Sequence, residues 1–203
     1  TAMSFDGSND YVDCGTGLAT KLGDNYSGSL SLSMWFKADV TDGNDGIFIL
    51  GDFSSSNGEF EIFLSSDTIR FWLNSNGWKI DATFLDTSSW HHLACIYATG
   101  SESDSKMYID GISVGSASGT FPTPSTMDFS GLKTVIGGYW SSDYTFDGKI
   151  SNVQVWNTTL TLAQVQQLYK QPELLLPTGT TASNVVGQYL LNEGAGYTAF
   201  DSH

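Results

Sequence analysis

Residues 30–38 read Leu-Ser-Leu-Ser-Met-Trp-Phe-Lys-Ala. Leu30, Leu32, Met34 and Phe36 recur at every second position, with Ser31, Ser33, Trp35 and Lys37 between them. A repeat of two sends successive side chains to opposite faces of an extended chain, so this stretch is a strand with one apolar face. Further strands are expected over 46–51, 59–65, 69–74, 91–99, 105–110, 112–117, 133–138, 149–156 and 185–192. Asp110-Gly111 between Ile109 and Ile112 predicts a tight primed hairpin, because both residue types tolerate positive φ. Many short strands with Gly-rich turns and no alternating helices predict an all-β, two-sheet antiparallel sandwich of the jelly-roll kind. One helix interrupts the pattern. Thr161 and Gln164 have capping-box spacing, and Leu162, Val165, Leu168 and Tyr169 recur at helical spacing until Pro172. With 203 residues, residues 1–203 are expected to form one such domain.

Charge narrows the partners. The chain carries 22 acidic residues against 8 basic ones, a formal net charge of −14. Nucleic acids and anionic membrane surfaces are excluded as expected partners, because both are held by clustered Lys and Arg. A polysaccharide or glycoconjugate is compatible, since sugars are met by aromatic faces and polar side chains. Cys14 and Cys95 make no framework and no CxxC spacing; two thiols are expected, with a single bridge the alternative. No leader pattern, membrane span or lipidation motif is present. The chain from Thr1 to His203 reads as a module of a larger secreted, cell-surface or virion protein.

Five segments in order resemble one family. They are Ser4-Phe-Asp-Gly-Ser-Asn-Asp-Tyr-Val12, Ser31-Leu-Ser-Met-Trp-Phe36, Trp90-His-His-Leu-Ala94, Met107-Tyr-Ile-Asp-Gly111, and Phe146-Asp-Gly-Lys-Ile-Ser-Asn-Val-Gln-Val-Trp-Asn157 with the helix after it. Together they are similar to the laminin G-like, pentraxin-like domains of the concanavalin A-like lectin and glucanase superfamily. The resemblance implies one concave and one convex sheet, with ligands met on the concave face or its rim. It also implies that Asn184–Leu191 pairs within a sheet. It says little about the ligand, since one fold hosts many functions.

Pentraxins hold ligands through two calcium ions. The segment Val135–Asp143 resembles one of their ligand loops, but Tyr139 and Trp140 stand where a calcium-binding acid and amide belong. That departure implies loss of the paired calcium site and leaves two rings beside Asp143 and Tyr144. In Ile69–Asn74, alternation sends Ile69, Phe71 and Leu73 to the core and Arg70, Trp72 and Asn74 to the other face. Trp78 follows in a polar turn. The expected carbohydrate site is therefore Trp72, Trp78, Tyr139 and Trp140 as stacking rings, with Arg70, Asn74, Asp143 and Tyr144 bonding sugar hydroxyls. Trp35 and Trp90 lack polar company and are assigned to the core. Structural calcium is the one cofactor admitted, with Asp6, Asn9, Asp10 and Asp147 as ligands; Asp13 and the cluster Asp42, Asn44, Asp45 and Asp52 are further oxygen donors.

Catalysis is not expected. Family glycosidases carry two carboxylates on one strand, about 5–5.5 Å apart when retaining. Here Glu59 and Glu61 begin such a strand, but Leu64 and Ser65 occupy the last acid's place. Glu59, Glu61 and His92 are the sole plausible carriers of polysaccharide cleavage; His91 and His92 are read as structural or surface residues. A non-catalytic lectin-like module is thus expected, with laminin G-type protein adhesion the alternative and an enzyme the least favoured.

Overall fold

A computed structural model describes residues 2–52, 57–73, 77–122, 127–138 and 144–192. Its strands are β1 (Met3–Asp6), β2 (Val12–Asp13), β3 (Leu30–Ala38), β4 (Asn44–Asp52), β5 (Asn57–Ser65), β6 (Thr68–Leu73), β7 (Trp78–Thr83), β8 (His91–Tyr97), β9 (Lys106–Ile109), β10 (Ile112–Val114), β11 (Ser116–Ser118), β12 (Lys133–Ile136), β13 (Asp147–Trp156) and β14 (Val185–Tyr189). The helices are α1 (Gly17–Leu22) and α2 (Leu162–Lys170).

The strands form two antiparallel sheets of seven. The first runs β1-β13-β3-β8-β9-β10, and β14 also pairs with β13. β1 takes the first half of β13 and β14 the second half, so the two follow one another along one edge. The second sheet runs β11-β7-β6-β5-β4-β12-β2. The Asp110-Gly111 hairpin forms as expected, with φ of 53° and 75° and Ile109 opposite Ile112.

The sandwich core lies between the sheets and follows the period of two. Leu30, Leu32, Met34 and Phe36 meet Phe60, Ile62, Leu64, Ile69, Phe71 and Leu73 there. The other face of β3 is not solvated, contrary to a simple half-buried strand. Ser31 and Ser33 are buried. A second apolar layer covers this side, in which Ala94, Ile96 and Trp156 of the first sheet meet Leu160, Val165 and Leu168 from α2 and its approach. Ser31 Oγ is satisfied there, donating to the Thr158 carbonyl (2.7 Å) and accepting from Leu160 N–H (3.0 Å). Trp35 sits under this layer, not in the sandwich core, stacked 5.9 Å from the Tyr169 ring. Trp90, also assigned to the core, is 39 % exposed.

α2 begins as its capping box dictates. Thr161 Oγ1 accepts from Gln164 N–H, and Gln164 Oε1 accepts from Thr161 N–H (2.8 Å). Val165 and Leu168 face inward, whereas Leu162 is exposed. Thr161→Ala is expected to cost about 1 kcal/mol by releasing these end groups. A urea titration checks it as a lower midpoint with unchanged slope. Cys14 and Cys95 are not bridged to each other; Cys95 is buried, and burial pushes its pKa well up.

Candidate functional site

β5 and β6 turn alternate residues away from the sandwich core. On β6, Ile69, Phe71 and Leu73 are buried in the core, and Arg70 and Trp72 point outward. On β5, Phe60, Ile62 and Leu64 point inward, and Glu61 and Phe63 outward. The register then lines up one row across the outer face: Lys79, Trp72, Glu61, Ile49, Val135 and Asp13. A second row holds Asp81, Arg70 and Phe63.

The Trp72 and Phe63 rings lie 6.0 Å apart at 42°. The Arg70 guanidinium sits over the Phe63 ring, 5.4 Å from its centre, a cation–π contact. Arg70 also donates from Nε and Nη2 to the two oxygens of Asp81 (2.5 and 3.1 Å). Lys79 Nζ lies 3.4 Å from the same carboxylate. Burial alone would raise the Asp81 pKa, but the Arg70 hydrogen bond and both cations outweigh it and hold it below the usual carboxylate range. Ile49, Val135, Glu61 and Phe63 are buried although they face away from the core. Trp72 is half-buried, and its indole N–H makes no hydrogen bond among the described residues. The face thus presents a half-buried ring beside buried apolar neighbours.

Arg70 and Trp72 lie where alternation put them. Asn74, Tyr139, Trp140 and Asp143 lie outside the described residues. The bounds of the 139–143 segment are anchored on the second sheet. Gly138 packs against Tyr11 and Val135, and the Tyr144 carbonyl accepts from Gly46 N–H of β4 (3.1 Å). Phe63, Ile49 and Val135 are site residues that sequence reasoning missed; the alternation through Glu61-Ile62-Phe63 carried the signal for the first.

Trp78 is a correction. Its side chain is 0 % exposed and belongs to the sandwich core. Phe71 and Phe121 meet it edge-on at 5.9 and 5.1 Å, and its indole N–H donates to Glu102 Oε1 (2.8 Å). The cause is β7, a strand the turn-like sequence before it concealed, which aims Trp78 and Ile80 inward.

The residues expected to hold calcium lie as follows. Among the described residues no group of three or more His, Cys, Asp or Glu is arranged to hold a metal ion. Asp6 Oδ1 accepts from Ser8 N–H (2.9 Å), and Asp10 Oδ2 accepts from Asp6 N–H (3.2 Å), so both carboxylates fold the turn that also contains Asn9. Asp147 lies opposite Asp6 in the β1–β13 ladder; burial, then Asp39 and Asp6, raise its pKa. Asp13 is paired with Lys133 (2.8 Å).

Of the residues weighed for hydrolysis, Glu61 and His92 lie on different sheets. Glu61 faces outward on the second sheet, Leu64 is in the core, and His92 lies on the first sheet beneath α2. His92 Nε2 is 3.0 Å from Ser33 Oγ, and burial drives its pKa down to about 4, so it is neutral at pH 7. His91 bridges Asp110 (2.7 Å) and Asp86 (3.2 Å). Both histidines are structural.

Two sheets of seven strands, closed by α2 and presenting one aromatic face, define a lectin-like jelly roll. The chain belongs to the concanavalin A-like lectin/glucanases superfamily, one of whose family models matches residues 6–166. No curated protein matches it at a significant level. Among solved structures it is similar to domain 4 of AbnA, an extracellular family 43 arabinanase from Geobacillus stearothermophilus in complex with arabinotriose. That match is at 23 % identity and a TM-score of 0.58, over 83 % of this chain and 76 % of that one. The CBM40 of a Ruminococcus gnavus sialidase, bound to α2,3-sialyllactose, matches at 14 % identity and a TM-score of 0.63, over 83 % and 96 %. A heptameric pentraxin from Limulus polyphemus matches at 17 % and 0.59, over 82 % and 80 %. At these identities the likeness is one of fold. Among the described residues no helix is long and apolar enough to cross a membrane.

Proposed function

We propose that this chain is a non-catalytic carbohydrate-binding module that holds a larger secreted or surface protein to a glycan. Its binding face is the outer side of the second sheet. The observation that carries this is Trp72, a half-buried ring held outward between Arg70 and Glu61 with an unpartnered indole N–H. Such a ring stacks on the C–H face of a sugar. Solved relatives of the fold bound to arabinotriose and to sialyllactose support the reading. Tyr139, Trp140, Asp143 and Asn74 are proposed to complete the site from the flanking segments.

A glycan array followed by calorimetry on each hit tests it. Trp72→Ala is expected to weaken binding on the order of tenfold or more, with little change in thermal midpoint. An array without a binder sinks the proposal and returns the adhesion alternative. Incubation with β-glucan, agar, carrageenan and alginate is expected to release no product. Product that Glu61→Gln abolishes would overturn the non-catalytic assignment.

A further inference from the structure

We propose that the outer face of the second sheet selects uncharged glycans and rejects acidic ones, the charge being set by Asp81. This rests on the assignment of that face as the glycan site.

An acidic sugar, sialic or uronic, is held where a cation can be spent on its carboxylate, by an Arg fork or an ammonium. All eight Lys and Arg of the chain can be located: Lys21, Lys37, Arg70, Lys79, Lys106, Lys133, Lys149 and Lys170. The segments outside the described residues contain none. Lys21 is on α1, where it bonds the Val186 carbonyl (2.9 Å), and Lys170 is on α2. Lys37, Lys106 and Lys149 belong to the first sheet, as do His91 and His92. Three cations remain on the second sheet, and each is already matched. Arg70 and Lys79 share Asp81, and Lys133 holds Asp13.

The rest of the face is neutral or negative. Glu61 stands directly opposite Trp72 and Ile49 in the ladder, so no cation flanks the ring on that side. The half-buried Trp72 ring is uncharged and suits the C–H face of a neutral sugar. The net charge of −14 adds long-range repulsion of any polyanion. A single substitution should undo the bias. Asp81→Asn leaves an amide of the same shape and releases both Arg70 and Lys79 toward the ring.

The test compares binding of two probe sets by calorimetry at low salt, on the whole chain. Arabino-, xylo- and β-gluco-oligosaccharides form the neutral set; 3′-sialyllactose and oligogalacturonate form the acidic one. Binding confined to the neutral set, at least tenfold tighter than to any acidic probe, is expected. Asp81→Asn should tighten acidic probes about tenfold. Raising NaCl from about 0.05 to about 0.5 M should strengthen acidic-probe binding to the unaltered chain by screening and leave neutral probes unchanged. That measurement stands if the variant does not fold. Acidic probes that bind as tightly as neutral ones, or that weaken with salt, overturn the selectivity. No gain in a folded Asp81→Asn protein overturns the role of Asp81. Failure of every probe in both sets instead overturns the glycan site on which this rests.

Discussion

Trp78→Ala is expected to destabilise the fold by about 4 kcal/mol, within the range for a fully buried aromatic ring cut to a methyl group. The ring has no solvent contact and is wedged edge-on between Phe71 and Phe121, so its removal opens a cavity that rigid neighbours cannot collapse into. Glu102 also loses the N–H it accepts at 2.8 Å. For a domain this size the thermal midpoint should fall by about 8–16 °C. Trp72→Ala, one strand away, should move that midpoint little and act on binding instead. Urea unfolding of the two variants side by side separates the roles. A loss below about 1 kcal/mol for Trp78→Ala would place the ring outside the core and return it to the candidate site.

That contrast also shows what periodicity can and cannot reveal. Ile69–Leu73 alternates cleanly, so the outward direction of Arg70 and Trp72 was legible from spacing alone. Trp78 opens a strand whose pattern, Trp-Lys-Ile-Asp-Ala-Thr, follows Asn, Ser, Asn and Gly, and the local turn chemistry outweighed three alternating positions. Residues 30–38 had the right faces but the wrong surroundings. The serine face looks solvated until α2, some 130 residues on in the chain, folds over it and satisfies Ser31 through the Thr158 carbonyl. Burial of that kind comes from tertiary contact and leaves no period in the strand itself. Short elements were equally hidden: α1 spans six residues, too few for a helical repeat to register. At the site, Glu61 and Phe63 were legible as strand neighbours. Ile49 and Val135 were not, because their place beside Glu61 depends on the register between β5, β4 and β12. The acidic clusters were ambiguous for a chemical reason: Asp and Asn suit turns and calcium alike, and Asp6 and Asp10 accept from backbone N–H groups in the turn.

Asp45→Asn is expected to stabilise the protein at pH 7.5 by up to about 3 kcal/mol, and the gain should vanish by about pH 4. Asp45 lies opposite Leu64 in the β4–β5 ladder and is 7 % exposed, with Oδ2 lacking a hydrogen-bond partner. Burial first, then Asp147 and Asp42, push its pKa from 3.8 up to about 6. The native state therefore holds this proton more tightly than the unfolded chain. Its ionisation costs stability progressively as pH rises from about 4 to 6, and the full cost persists above that. At about 1.4 kcal/mol per pH decade this amounts to about 3 kcal/mol, which the neutral amide avoids. His92 has the opposite sign. Burial lowers its pKa from 6.5 to about 4, so the unfolded chain binds the proton better, and stability contributed by the neutral ring is lost as pH falls through that window. Between pH 4 and 6 the two slopes oppose each other and nearly cancel. Removing the Asp45 titration should unmask the histidine: the variant's stability should climb with pH from 4 to 6.5 more steeply than that of the unaltered chain. Urea unfolding at pH 4, 5, 6 and 7.5 reads both curves. A stability difference that stays constant across these pH values would mean that Asp45 keeps an ordinary carboxylate pKa in the fold.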